Sequence, residues 1–181
     1  MSIAELPSSM NPLEQVLNPE GLVLHRGWDD GLAMQIATNS KQDHIRQWTP
    51  RDHDELFRSE KAVNEWYGNR FNGKDPLIVW LGNAAGELAG LAWVENIDRK
   101  RSAALRIFGV RVYDGFREQG LGTALADEVH HVIDTKRRGM KTSYRMKRTN
   151  NAAFSIGVGL GYKLNLSGSG SQGLQEYQRN Y

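Results

Sequence analysis

The order of periodicities along the chain predicts a mixed α/β fold, a central sheet with helices on both faces. Two observations carry that expectation. Residues 77–112 hold three consecutive runs of strand character, and after Val112 the pattern alternates helix, strand, helix, strand. A third observation is local. Val110-Arg111-Val112 passes through Tyr113-Asp114-Gly115-Phe116-Arg117-Glu118-Gln119 to Gly120-Leu121-Gly122, a strand that turns abruptly through glycines into an amphipathic helix.

Met1 to Glu20, with Pro7, Pro12 and Pro19 and little periodicity, is expected to be an extension, and residues 21–181 a single domain. Leu22-Val23-Leu24-His25 reads as a short strand. Asp29 and Asp30 then suit the cap or first turn of a helix reaching about Thr38, with Leu32, Ala33 and Ile36 at helical spacing. His44 to Trp48 can form a second short helix before Pro50. Residues 54–71 carry Leu56, Phe57, Val63, Trp66, Tyr67 and Phe71 as one helical apolar stripe. The period then changes. Leu77 to Leu81 is a strand, Gly82 to Gly86 a turn, and Leu88 to Glu95 the returning strand. Ala103 to Val112 follows as the third strand, with Leu105, Ile107, Val110 and Val112 turned inward.

Gly120 to about Arg137 is the helix after the glycine turn, with Leu121, Leu125, Val129 and Val132 or Ile133 on one face. Lys136, Arg137 and Arg138 suit its last turn, and Gly139 its stop. Met140 to Met146 is a strand, Asn150 to about Leu160 a short helix, and Tyr162 to Leu166 another strand. Ser167 to Ser171 reads as a loop before a final strand near Leu174 to Tyr177.

The glycine turn is an anion-binding element. The first turn of a helix exposes unpaired N–H groups and the positive end of the helix dipole, which suits phosphate. Gly120 and Gly122 lack a Cβ, so a ligand can approach the backbone. Arg117 can add a charge-assisted contact. The net charge of +2 hides an asymmetry around this element: residues 99–148 hold 13 Lys/Arg and 5 Asp/Glu, or +8, and the remainder holds 10 and 16, or −6. A polyanionic ligand is the simplest partner for the basic segment, and nucleic acid would also suit. A Walker loop needs a Gly-Lys-Ser/Thr run that is missing here, and Gly120 to Leu125 lacks the third glycine of a dinucleotide fingerprint.

At 181 residues the chain can bury one good core and is short for two domains. Its 39% hydrophobic and 24% charged residues exclude disordered and fibrous classes. The absence of cysteine excludes disulfides, thiolate nucleophiles and cysteine-ligated zinc, and fits a reducing, cytoplasmic location. The first residues lack the pattern of a signal peptide, and no apolar run approaches a membrane span, so no membrane partner is expected.

Two motifs resemble a known family. Phe116-Arg117-Glu118-Gln119-Gly120-Leu121-Gly122 is similar to the Arg/Gln-x-x-Gly-x-Gly/Ala signature of the GNAT superfamily of N-acetyltransferases. Asn150-Asn151-Ala152-Ala153-Phe154, followed by Gly161-Tyr162, resembles that family's later Asn-x-x-Ala and Gly-Phe/Tyr element. Their spacing and the element order over residues 22–181 agree with it too. The resemblance implies a GNAT-like acyl-CoA N-acyltransferase fold, with the strand ending at Val112 and the strand Met140 to Met146 splayed apart. Acetyl-CoA would lie in that gap as acyl donor. Backbone groups at Val110 and Val112 would pair with its pantetheine arm. The amides of Gln119, Gly120, Leu121, Gly122 and Thr123, helped by Arg117, would hold the pyrophosphate, and Asn150 the pantetheine or adenosine side. Lys147 and Arg148 could meet the 3′-phosphate. Asn150 can equally serve as a helix N-cap.

The implied activity is acetyl transfer to a primary amine of a small molecule or protein, by direct attack in a ternary complex. The family often carries a tyrosine seven residues after the Asn as acid for the leaving thiolate, and this chain has Gly157 there. A thiol has an ordinary pKa of about 8.5, so modest help suffices. Tyr144, Ser155, Tyr162 or water can give it, and the catalytic candidates are Tyr162 as acid and Glu95 as base. Glu95 can also be a solvated strand-end carboxylate. His130 and His131 read as surface or partial-core residues, and no spacing reads as a metal site. Trp48, Trp66 and Tyr67 can line an acceptor pocket. Two other classes remain, a module that holds CoA without turnover and a nucleic-acid-binding protein. The acceptor and the oligomeric state, a homodimer included, are open.

Overall fold

The computed structural model describes residues 21–28, 30–42, 61, 65, 77–83, 85–94, 105–136, 141–147, 149–166 and 174–180. Its elements run β1 (Val23–Arg26), α1 (Asp30–Gln42), β2 (Leu77–Gly82), β3 (Leu88–Val94), β4 (Leu105–Val112), a 3₁₀ turn (Asp114–Phe116), α2 (Leu121–Lys136), β5 (Lys141–Lys147), α3 (Asn151–Gly159), β6 (Lys163–Leu164) and β7 (Leu174–Asn180). Among the described residues the strands form one seven-stranded sheet in the order β1-β2-β3-β4-β5-β7-β6. Every neighbouring pair is antiparallel except β4 and β5, which are parallel.

The mixed sheet with helices on both faces is as the periodicities predict. β2 and β3 are buried along almost their whole length because helices cover both sides. On one face, Leu32, Ala33 and Ile36 of α1 pack against Ile78, Trp80, Leu88 and Leu91. On the other, Leu121, Leu125, Val129 and Ile133 of α2 pack against Val79, Leu81, Ala92 and Phe108. That spacing, one residue per helical turn, is the stripe expected from the sequence. Val110 and Val112 pack half-buried on the same face as α2. The Nε and Nη2 groups of Arg26 donate to Oε1 of the buried Glu128 at 3.0 and 2.6 Å, tying the edge strand β1 to α2.

The β2–β3 turn is built by Asn83. Its side-chain oxygen accepts from the amides of Ala85 and Glu87, and Gly86 takes φ +81°. Element ends differ from the sequence expectation by a few residues. α1 continues past Thr38 to Gln42, and β7 runs on from Tyr177 to Asn180 because β5 offers it partners from Lys147 back to Lys141. β6 shrinks to Lys163 and Leu164, the two residues that pair with β7. The expected extension 1–20, the helix His44 to Trp48 and the loop Ser167 to Ser171 lie outside the described residues. Of the stripe over 54–71, Lys61 and Glu65 are described, both helical.

Candidate active site

The parallel β4–β5 ladder pairs Leu105 with Lys141 through Phe108 with Tyr144, and there it ends. Both strands continue: β4 for Gly109 to Val112, still paired with β3, and β5 for Arg145 to Lys147, still paired with β7. The sheet therefore opens into a cleft between two strands that are each held from behind. A strand edge without a neighbour presents N–H and C=O groups to whatever enters the gap. This is the splay expected from the resemblance. Val110 and Val112 stand on its β4 side, with their side chains in the core, so that what they offer the cleft is backbone.

At the open end of the cleft the chain makes the glycine turn. The Tyr113 amide donates to the Ala89 carbonyl at 3.0 Å, and the Phe116 amide to the Tyr113 carbonyl at 3.0 Å, closing the 3₁₀ turn. Arg117 braces this bend, its Nε donating to the Val112 carbonyl at 3.1 Å and its guanidinium pairing with Asp114. The motif arginine thus has a clear part in shaping the loop. Glu118 at φ +63° and Gly120 at φ +79° are both left-handed, one on each side of Gln119. For a glutamate that conformation costs on the order of 1 kcal/mol, held by the structure around it.

The first backbone bond into α2 runs from the Ala124 amide to the Gly120 carbonyl at 3.1 Å. The amides of Leu121, Gly122 and Thr123 come before it, and the first turn contains no acidic side chain to compete for them. Leu121 is buried and pins the helix start in the core, whereas Gln119, Gly120 and Thr123 are exposed. A Cβ on Gly120 would meet nothing within 4 Å, so the space over its backbone is open. Gly122 differs: its Cβ would lie 3.2 Å from Ile156 Cδ1 and 3.4 Å from Val112 Cγ2. One glycine leaves open space over its backbone, the other leaves room for packing between α2, α3 and β4.

Asn150 caps α3, its side-chain oxygen accepting from the Ala153 amide at 3.0 Å. The cap role expected for it holds. The side chains of Lys147 and Arg148 and the whole of Glu95, Trp48, Trp66 and Tyr67 lie outside the described residues.

Tyr162, expected as a catalytic residue, is 4% exposed. Its hydroxyl lies 2.9 Å from His130 Nε2 and 2.7 Å from Thr142 Oγ1. His130 Nδ1 lies 2.7 Å from the Ala126 carbonyl. A carbonyl only accepts, so Nδ1 carries the ring proton and Nε2 accepts from the Tyr162 hydroxyl. The Thr142 hydroxyl must then donate to Tyr162. This is the arrangement of the neutral imidazole. Burial holds His130 down to about 4, against the pull of the Ala126 hydrogen bond. His130 is thus a core residue at 2% exposure, while His131 is exposed. The sequence signal for its burial is its place one turn after Ala126 on the apolar side of α2.

Tyr144 ends the β4–β5 ladder. Its ring packs edge-on to Phe108 with centroids 4.9 Å apart, and burial pushes its phenol well above the ordinary value. Beyond the cleft, buried Glu176 accepts from Arg145 Nε at 3.1 Å, Asn165 Nδ2 at 3.0 Å and Gln178 Nε2 at 2.9 Å. Burial alone would raise its carboxyl, and these donors with the Arg145 charge hold it below the usual carboxylate value. No cluster of His, Asp or Glu among the described residues could hold a metal ion, and no described helix is long and apolar enough to cross a membrane.

A search of curated proteins finds no match to the chain. Solved structures share its fold at low identity. The GNAT-family acetyltransferase of Streptococcus pneumoniae superposes with a TM-score of 0.68 at 14% identity, covering 87% of this chain and 98% of that one. The microcin C7 self-immunity acetyltransferase MccE, in complex with acetyl-CoA and AMP, gives 0.65 at 13% identity over 91% and 94%. The PaiA N-acetyltransferase of Thermoplasma acidophilum, in complex with coenzyme A, gives 0.63 at 16% identity over 88% and 99%. The family model described as acetyltransferase (GNAT) family matches residues 40–153, more than half of the chain and all of the span from the end of α1 to the cap of α3. The split sheet, the glycine turn and this match agree: the chain belongs to the GNAT family of acetyltransferases.

Proposed function

We propose that the protein transfers an acetyl group from acetyl-CoA to a primary amine, by direct attack of the amine on the thioester in a ternary complex. The observation that carries this reading is the early end of the β4–β5 ladder beside a helix start with open amides. A ligand with a peptide-like arm and a diphosphate fits both parts at once. The pantetheine arm would pair with the β4 edge at Val110 and Val112, and the diphosphate would sit on the amides of Gln119 to Thr123. Arg117 would hold that loop in shape, and Asn150 would meet the arm or the adenosine from α3.

The chemistry asks for little else. A backbone N–H near Val110 would polarise the thioester carbonyl. Holding the amine against it in a dry cleft would provide most of the rate. The chain has no cysteine for a thioester intermediate, so transfer would be direct. Glu95 is our candidate for accepting the amine's proton, directly or through water. The residues outside 99–148 sum to −6, which favours a cationic acceptor such as a polyamine, an aminoglycoside-like amine or a lysine side chain. We assign this activity to a single domain over residues 21–181 in the cytoplasm.

The direct test is CoA-thiol release with acetyl-CoA and a panel of such amines, with the acetylated product identified by mass. Transfer to at least one amine is expected. CoA binding without transfer to any would favour a module that only holds the coenzyme, and salt-steep nucleic-acid affinity that acetyl-CoA does not compete away would favour the other alternative. The Glu95→Gln variant should lose turnover mainly at low pH, where removal of the amine's proton limits the rate. An equal loss at every pH would remove Glu95 as the base.

A further inference from the structure

The two faces of the split sheet are not alike. On the α2 side the cleft is closed from behind. A Cβ at Gly122 would lie 3.2 Å from Ile156 Cδ1 and 3.4 Å from Val112 Cγ2, so α2 meets both α3 and β4. A Cβ at Gly157 would lie 3.3 Å from Tyr144 Cδ1, so α3 rests on β5 as well. The amides that we assign to the diphosphate belong to this side, at the start of α2. The face left to an acceptor amine is the other one, where α1 packs over β2 and β3.

Strand alternation decides which residues stand there. Phe108, Val110 and Val112 of β4, Tyr144 and Met146 of β5 and Tyr177 of β7 pack on the α2 side. Gly109, Arg111, Arg145 and Glu176 therefore turn the other way. On the β4 wall, Gly109 is the first residue past the last rung of the ladder, and any Cβ on it would overlap the indole of Trp93. That ring lies over bare backbone at the edge of the cleft. Arg111 follows on the same wall, its guanidinium 5.0 Å from the centre of the Tyr113 ring. Arg145 holds the matching place on the β5 wall, the first residue past the last rung there.

The surroundings of Arg145 hold it out as a hydrogen-bond donor. Its Nε donates to Glu176 at 3.1 Å. That carboxylate is 8% exposed and is kept ionised by Asn165 and Gln178 as well as by Arg145. The Arg145 side chain itself is 53% exposed, and among the described residues Glu176 is the only partner of its guanidinium. A guanidinium fixed along one edge and open along the other matches the two oxygens of a carboxylate or a phosphate. Because its side chain is already ordered, little entropy is lost when such a group arrives. Glu176 cancels much of the charge at a distance, so the attraction is short-ranged, and Arg111 adds positive charge from the facing wall.

We propose that Arg145 is a specificity-determining residue that binds a carboxylate or phosphate on the acceptor, so that the substrate class is an amine carrying such an anion. This rests on the acyl-transfer reading above and narrows it. The acidic remainder of the chain favours a cation, which the acceptor's own ammonium supplies as it arrives. Charges beyond about 8 Å are screened at physiological salt, so the guanidinium at the lip of the cleft decides what accompanies the amine. Free amino acids and phosphorylated amines then rank above polyamines.

The test uses acceptor pairs that differ by the anion alone, lysine against cadaverine and phosphoethanolamine against ethanolamine. The wild type should favour the anionic member of at least one pair by about 10-fold or more in kcat/KM, through KM. Arg145→Gln should raise that KM by about 10- to 100-fold, while kcat/KM for the anion-free partner and KM for acetyl-CoA change by less than about threefold. Arg145→Lys keeps a cation against Glu176, which guards the fold, and should retain part of the preference. Preference in the first pair identifies a carboxylate, in the second a phosphate. No preference in the wild type, an equal loss for both members of a pair, or a loss confined to acetyl-CoA would overturn the proposal. Calorimetry of the same pairs with the CoA-loaded proteins separates it from the reading it rests on. Anion binding that needs Arg145, without transfer to any amine, would end the acyl-transfer reading alone, and transfer indifferent to Arg145 would end this proposal alone.

Discussion

The Gly120→Val variant should bind CoA at least 100-fold more weakly than the wild type while still unfolding in one cooperative transition. Gly120 has φ +79°, and nothing lies within 4 Å of where its Cβ would be. A valine there meets no protein atom, so the folded core keeps its contacts. What it costs the fold is backbone strain, about 1–2 kcal/mol for a left-handed residue with a side chain. For a chain of this length that lowers Tm by roughly 2–8 °C. The branched side chain would, however, stand over the amides that we assign to the diphosphate. Losing 100-fold in affinity corresponds to about 2.7 kcal/mol, in the range of one or two charge-assisted hydrogen bonds. Titration calorimetry with CoA, beside a thermal melt, measures both terms. Wild-type affinity in a folded Gly120→Val protein would sink the cofactor assignment. Gly122→Val is the less clean partner experiment, because its first added atom already presses on Ile156 and Val112. Its CoA loss should come with a larger loss of stability.

The second large effect is on folding and follows from His130. Lowering the pH from 6.5 to 4 should remove about 3 kcal/mol of stability through this one residue. The sign follows from where each state binds its proton. The folded ring is held down to about 4, mainly by burial, with Arg179 adding to the effect and the Ala126 carbonyl and Asp134 opposing it. The unfolded chain titrates at the ordinary 6.5. Above that value neither state is protonated, and His130 makes no pH-dependent difference. Between the two values the unfolded chain takes a proton that the folded core refuses, so stability falls with acidification. Below about 4 the folded ring would charge as well, and the Tyr162 hydroxyl would lose its acceptor.

Urea unfolding at several pH values from 7 to 4 gives the slope, and His130→Gln should flatten it while lowering stability at pH 7. Equal slopes in both proteins would mean that the buried chain His130–Tyr162–Thr142 is not what titrates. Glu176 adds a loss of its own only at lower pH, because its folded value lies below the ordinary 4.5.

The order of the described elements was legible in the residues because each signal is local. Strand alternation needs only the neighbours two residues away, a helical stripe those three and four away, and Gly120 before Leu121 marks a helix start without reference to the rest of the chain. The glycine turn before α2 followed for the same reason, since it is marked by its own residues. Element ends were less legible. β7 outlasts its apolar pattern because β5 supplies hydrogen-bond partners along all of its length, and β6 falls to two residues for want of them.

The tertiary structure alone decided four things about the site. Arg117 turned out to brace its own loop, and Gly120 and Gly122, alike in sequence, split into an open space and a packing space. The hydroxyl of Tyr162 was spent on His130, 32 residues away. The ring of Tyr144 filled the room left by Gly157 on another element. Local periodicity comes from the geometry of one stretch of backbone, whereas which proton meets which acceptor depends on side chains brought together by packing from distant parts of the chain.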